Sequence, residues 1–111
     1  MATATPTPEV LPEQETETRT QRQPPYAVIL HNDDNNGMDF VVMVLQKVFG
    51  YTVEKCVELM LEAHEKGRVV VWVGPLEVAE LKADQVRSCG PDPAATARGG
   101  QPLAVSVEPA A

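Results

Sequence analysis

The segment His31-Asn32-Asp33-Asp34-Asn35-Asn36-Gly37 places an imidazole, two carboxylates and three carboxamides side by side between two apolar stretches. Oxygen acceptors at this density suit a cation, either a metal ion or an ammonium group. A protein α-amino group has a pKa of about 7.7–8.0, so it is largely protonated at neutral pH. Its three N–H donors call for three acceptors. An Asn carbonyl, an Asp carboxylate and a neutral His nitrogen would supply them. His64 falls near the end of a predicted helix, on the stripe that carries Met60. A two-helix hairpin would bring it close to the loop.

The same residues have plainer uses. Asn and Asp clusters build turns and helix caps. A histidine on an apolar helix face also serves as a satisfied core residue, and Met38 and Met60 at helical spacing also fill cores. His31, Asp33, Asp34 and His64 are legitimate metal ligands, but their spacing matches neither an EF-hand nor a zinc motif. There is no GxSxG, P-loop or dinucleotide fingerprint. Ser88 and Ser106 are the only serines, and neither has a nucleophile-like context. Cys56 sits in a predicted helix among ordinary neighbours. Neither it nor Cys89 belongs to a CxxC pair, so both are read as free thiols.

The elements that must position these residues follow from the apolar pattern. Tyr26-Ala-Val-Ile-Leu30 reads as a buried strand. A helix begins near Met38, with Phe40, Val41, Val44, Leu45, Val48 and Phe49 on one stripe. Asn36 is its expected N-cap and Gly50 its stop. Thr52 caps a second helix whose apolar face would carry Val53, Val57, Met60, Leu61 and His64, and Gly67 ends it. Arg68–Val73 is a second strand. Gly74-Pro75 opens a third helix, with Pro75 at its first position and Leu76, Ala79, Leu81 and Val86 toward the core. Gly90-Pro91 stops it, 92–100 is expected to be small and flexible, and Leu103, Val105 and Val107 mark a last strand. The predicted class is α+β: a small two-layer domain, a three-stranded antiparallel sheet packed against three helices in the order β-α-α-β-α-β.

Residues 1–25 hold five of the ten prolines and almost no large apolar side chains. They cannot bury enough surface to offset chain entropy, so a disordered N-terminal extension is expected there, with one domain over 26–108. The formal net charge of -7 argues against nucleic acid, which needs a Lys/Arg patch, and against an anionic membrane surface. No run approaches the ~20 apolar residues that span a bilayer. The N-terminus lacks the basic and apolar regions of a signal peptide, so a cytoplasmic location is expected.

Tyr26-Ala-Val-Ile-Leu-His-Asn-Asp-Asp34 followed by Met38-Asp-Phe-Val-Val42 resembles the opening signature of the ClpS family, bacterial and plastid adaptors for Clp proteases. Met60-Leu-Glu-Ala-His64 with Gly67 resembles the family's M-L-x-x-H-x-x-G, Glu77-Val-Ala-Glu-Leu-Lys82 its A-E-V-A-E-x-K, and Pro102-Leu103 the P-L that opens its last strand. The resemblance implies a non-enzymatic adaptor. It would bind clients bearing an N-degron, a first residue Leu, Phe, Tyr or Trp, and dock on the N-terminal domain of a ClpA- or ClpC-type ATPase, without cofactor or metal. By position, Asn32, Asp33, His64 and, in place of a common Thr, Asn36 would hold the client's α-amine. Met38, Val41, Met60, Ala63 and Leu103 would line the side-chain pocket, with Met38 as a gate against β-branched residues. Glu77, Glu80 and Lys82 would face the ATPase, and residues 1–25 would be the segment it engages. The loop departs from the family's N-D-D-x-T-P-M: Gly37 replaces Pro and is expected to loosen it. A divergent module that docks on a Clp ATPase but recognises other clients is the alternative.

Overall fold

The computed structural model describes residues 24–96 and 99–110. The expected disordered extension therefore lies, up to residue 23, outside the described residues. Among the described residues seven elements follow one another: β1 (Tyr26–His31), α1 (Met38–Phe49), α2 (Val53–Lys66), β2 (Arg68–Gly74), α3 (Leu76–Ser88), the one-turn α4 (Pro93–Thr96) and β3 (Val105–Pro109). The order matches the expected β-α-α-β-α-β, with α4 added inside the segment read as flexible. The sheet order is β2-β1-β3 with both pairings antiparallel.

β1 is central, which explains its unbroken apolar run. Val28 and Leu30 enter the core beneath the helices, while Ala27 and Ile29 point to the other face and are still buried, flanked by Val73, Val70, Ser106 and Glu108 on the neighbouring strands. A bulge opposite Val28 and Ile29 leaves Val71 as the extra residue of β2, and such an insertion bends a strand and re-aims its side chains. Past the end of β3 the Ala110 N–H donates to the Pro25 carbonyl at 2.9 Å.

The helix ends follow local chemistry. Gly50 and Gly67 close α1 and α2 with φ of 74° and 89°, the left-handed conformation that glycine adopts without a Cβ penalty. The Thr52 hydroxyl accepts the Lys55 N–H at 3.1 Å and caps α2. Two expected caps are corrected. Gly37, not Asn36, occupies the cap position of α1, because the Asn36 side chain is drawn into long-range bonds. Pro75 is the cap residue of α3 rather than its first helical residue.

The core joins Val28, Leu30, Val69 and Val71 of the sheet to Val41, Val44 and Leu45 of α1, Cys56, Leu59 and Ala63 of α2, and Ala79 and Val86 of α3. The inner face of α2 is thus turned from the expected one. Val53 and Leu61 are exposed, and Cys56 and Leu59 take the core. A helix turns ~100° per residue, so this small rotation sets Met60 and His64 on the flank. The inner stripe of α3 is Ala79, Ala83 and Val86, while Leu76 and Leu81 stay exposed. Leu81 lies two residues from both alanines, hence on the opposite side of the helix. Leu103 precedes β3 rather than opening it. No helix among the described residues is long and apolar enough to cross a membrane.

Candidate binding site

The polar loop begins where β1 ends and is bonded on both sides. The His31 N–H donates to the Ala104 carbonyl and the Asn32 N–H to the Gly67 carbonyl, each at 2.9 Å. The second bond ties the loop to the end of α2, close to His64. Asp33 then folds the loop around its own carboxylate. Oδ1 accepts the N–H groups of Asn35 at 2.7 Å and Asn36 at 3.0 Å, and Oδ2 accepts Nδ2 of Asn36. A carboxylate has roughly four acceptor directions, so Asp33 keeps capacity for a further donor.

Asn36 is buried, the one polar residue so enclosed among the described residues. Its carboxamide is satisfied from distant parts of the chain: Nδ2 also donates to the Gln101 carbonyl at 2.9 Å, and Oδ1 accepts the Asp92 N–H at 2.7 Å. Gly37 has φ -70° and ψ 156°, and its N–H donates to Asp92 Oδ2 at 3.0 Å. A partner from the α3–β3 connection thus bonds the residue that was expected to loosen the loop.

A cavity of about 250 Å³ opens between this loop, α1 and α2. Its polar lining residues are His31, Asn32, Asp33, Asp34, Asn36 and His64, and its apolar ones are Leu30, Met38, Val41, Met60, Leu61 and Ala63. Met38 and Val41 come from the first turn of α1, one above the other at i, i+3. Met60, Ala63 and His64 share the flank of α2. Eight residues expected at the site thus meet around one cavity. Leu103 does not line it and is a core residue, 2% exposed. Its place just before β3 turns it under the sheet. His31 and Asp34, part of the acceptor-rich segment singled out from the sequence, also line the cavity, as do Leu30 and Leu61, which the sequence reading did not assign to a pocket.

The two histidines differ. His31 Nε2 lies 2.8 Å from Ser106 Oγ, and the Ser106 hydroxyl reaches Glu108, which pairs with Arg68 at 2.7 Å. Ser106 is thus part of a polar ladder across the sheet. His64 is exposed and makes no hydrogen bond among the described residues. The thiol of Cys56 is in the core, and burial pushes its pKa up, which keeps it in the less nucleophilic form. Among the described residues no group of three or more His, Cys, Asp or Glu is placed to share a metal ion.

α3 contributes nothing to the cavity lining. Glu77 and Glu80 are exposed on it. Lys82 Nζ donates to the Val48 carbonyl at 3.3 Å and stands 5.8 Å over the Phe49 ring, at a separate depression lined by Lys47, Val48 and Gln85.

The volume falls below the ~300–1,000 Å³ of pockets for drug-sized ligands. It suits one side chain, with acceptors in its lining for a cationic head. The family model of the ATP-dependent Clp protease adaptor protein ClpS matches residues 21–106, and the chain belongs to that family. It is 51% identical over 71 residues to the Clp protease adapter ClpS of Ruegeria sp. strain TM1040, which covers 64% of this chain and 63% of that protein. Against the ClpS of Aromatoleum aromaticum it is 47% identical over 70 residues, 63% of this chain and 69% of that one. The chain thus spans just under two thirds of the length of the Ruegeria protein. The structure of Agrobacterium tumefaciens ClpS2 bound to L-phenylalaninamide superposes with a TM-score of 0.67 and 34% identity, covering 78% of this chain and 96% of that one.

Proposed function

We propose that this chain binds proteins through a free N-terminal residue, Leu, Phe, Tyr or Trp, and presents them in the cytoplasm to the N-terminal domain of a ClpA- or ClpC-type ATPase for degradation. The observation that carries this reading is the mixed lining of one cavity, in which Asn32, Asp33 and His64 meet Met38, Val41, Met60 and Ala63. L-phenylalaninamide, held by the similar ClpS2, has the matching chemistry: a free α-amine beside an aromatic side chain. Asn32, Asp33 and His64 would take the ammonium, and Asn36 would serve it by orienting Asp33. Burial of a Leu or Phe side chain contributes about 1.5–3 kcal/mol. The ammonium bonds are charge-assisted and stronger than neutral ones. Acetylation would remove the charge and leave Asp33 facing an amide. A β-branched residue is wide at Cβ and meets Met38 at the mouth. No step breaks a bond, so the chain has no enzymatic activity of its own in this reading.

Fluorescence anisotropy of a labelled Leu-initiated peptide, beside its acetylated and Ile-initiated versions, tests the proposal. Binding of the first alone supports both amine recognition and the gate. Absence of binding to all three favours the divergent module, a reading that the unusual Asn36-Gly37 pair makes specific.

A further inference from the structure

The loop that carries Asn32 and Asp33 is gripped by a residue far along the chain. Asp92 makes bonds in two directions. Toward the loop, its N–H donates to Asn36 Oδ1 at 2.7 Å and its Oδ2 accepts the Gly37 N–H at 3.0 Å. Toward α4, its Oδ1 accepts the Ala94 N–H at 3.0 Å, and its carbonyl accepts the Ala95 N–H at 2.8 Å and the Thr96 hydroxyl at 3.3 Å. α4 is itself fixed. Ala95 is 1% exposed, and Gly100 packs so tightly that a Cβ there would stand 2.8 Å from both the Ala95 Cβ and its carbonyl oxygen.

We infer that Asp92 is the positioning residue of the amine-binding loop. One arm of its action runs through Asn36 and uses the main-chain N–H of Asp92, which side-chain substitutions retain, so the variants below read the other arm. With Oδ1 held by the Asp92 N–H, the Asn36 carboxamide has a single orientation, which points Nδ2 at Asp33 Oδ2 and at the Gln101 carbonyl. Asp33 is thereby fixed with its remaining acceptor capacity at the cavity. The other arm runs through Gly37. The residue after it is Met38, 62% exposed at the cavity mouth, and fixing the Gly37 N–H fixes where α1 starts and so where Met38 stands. Asp92 thus sets the carboxylate and the apolar gate together while standing outside the cavity lining. Gly37 suits this bond, since a Cβ there would come within 3.0 Å of Asp92 Oδ2. The inference rests on reading the cavity as a site for an amine and one side chain.

The test uses the full chain with Asp92→Ala and the near-isosteric Asp92→Asn. Amide hydrogen exchange reads the loop directly and needs no ligand. In Asp92→Ala the Gly37 amide is expected to exchange about tenfold faster, the scale of one lost hydrogen bond to a charged group, while the Val28 amide in the core strand is unchanged. Asp92→Asn, which keeps one side-chain oxygen, is expected to fall between. In anisotropy the Leu-initiated peptide is expected to bind Asp92→Ala about tenfold more weakly, and the preference for Leu over Ile is expected to narrow. A purely structural role would lower stability without moving that preference. Unchanged Gly37 exchange in both variants overturns the inference, as does unchanged affinity and preference in variants of a parent that binds. Failure of the parent to bind any peptide overturns the proposed function instead, and Gly37 exchange then decides this inference alone.

Discussion

The N–H of Asn32 donates to the carbonyl of Gly67 at 2.9 Å, so the first residue of the polar loop is bonded to the residue that ends α2. Through this contact the residues proposed to hold the amine share one joint, with Asn32 and Asp33 on one side and His64 on the other.

That joint depends on backbone geometry. Gly67 has φ 89°, and a Cβ placed there would meet nothing within 4 Å. Gly67→Ala would therefore cost only the left-handed backbone, roughly 1–2 kcal/mol. For a domain of this size a loss of 1 kcal/mol is a fall of about 4–8 °C in melting temperature. Thermal melting checks this, and peptide affinity is expected to fall with it because the Asn32–Gly67 bond shifts.

Asp33 and His64 should separate recognition from folding. His64 is exposed and unbonded among the described residues, so His64→Ala is expected to leave the melting temperature unchanged and weaken a Leu-initiated peptide about tenfold. Asp33→Ala is expected to abolish detectable binding and also lower stability by about 1–3 kcal/mol, because its carboxylate organises the turn through three loop donors. Paired titrations and melts of the two variants distinguish these outcomes. Equal binding by both variants would place the amine elsewhere.

The sheet ladder gives a prediction in pH. The hydrogen bond from Arg68, helped by its charge and by Ser106, holds the Glu108 carboxyl below its ordinary range. A carboxyl more acidic in the folded chain than in the unfolded one stabilises the fold above the ordinary carboxylate range. That contribution is lost as the pH falls through the lowered value. The pair is exposed, so the effect is small. Arg68→Ala is expected to melt slightly below the parent at pH 7, and the gap between the two should close as the pH falls through the lowered range of Glu108.

Docking on the ATPase should depend on α3 and not on the cavity. Replacing Glu77 and Glu80 by Ala is expected to leave peptide affinity and melting unchanged while slowing degradation of a Leu-initiated client in a reconstituted Clp ATPase and protease. Lys82→Ala is expected to do the same with a small loss of stability, since Lys82 also bonds the Val48 carbonyl and covers Phe49. Normal degradation by both would move the docking surface off α3.

The sequence carries what local pattern can carry. The apolar run at Tyr26–Leu30 announces a buried strand, Thr52, Gly50 and Gly67 mark helix ends, and the crowding of acceptors from Asn32 to Asn36 marks a stretch that lines the cavity. What it hides has two physical origins. Hydropathy ranks Leu76, Leu81 and Val53 above Ala79, Ala83 and Cys56, yet the small residues lie inside, because close approach of a helix to a sheet selects for size as well as apolarity. The bonds that fix the loop join Asn36 to Gln101 and to Asp92 across 65 and 56 residues, and no local spacing reports a contact made at that distance. Leu103 shows the same blindness, since a residue beside a strand end turns to the core or to a pocket according to packing alone.

The cavity of about 250 Å³ admits one side chain and its amine, and this limits how much of a client the chain reads under the proposed function. Recognition extends to a single letter of the client's text. Any protein would acquire that letter by a single cut that exposes a new first residue, and lose it by the addition of one residue in front. The choice of which proteins are delivered would then be made upstream, by whatever enzymes create and alter N-termini, with the cavity acting as a reader of their decisions.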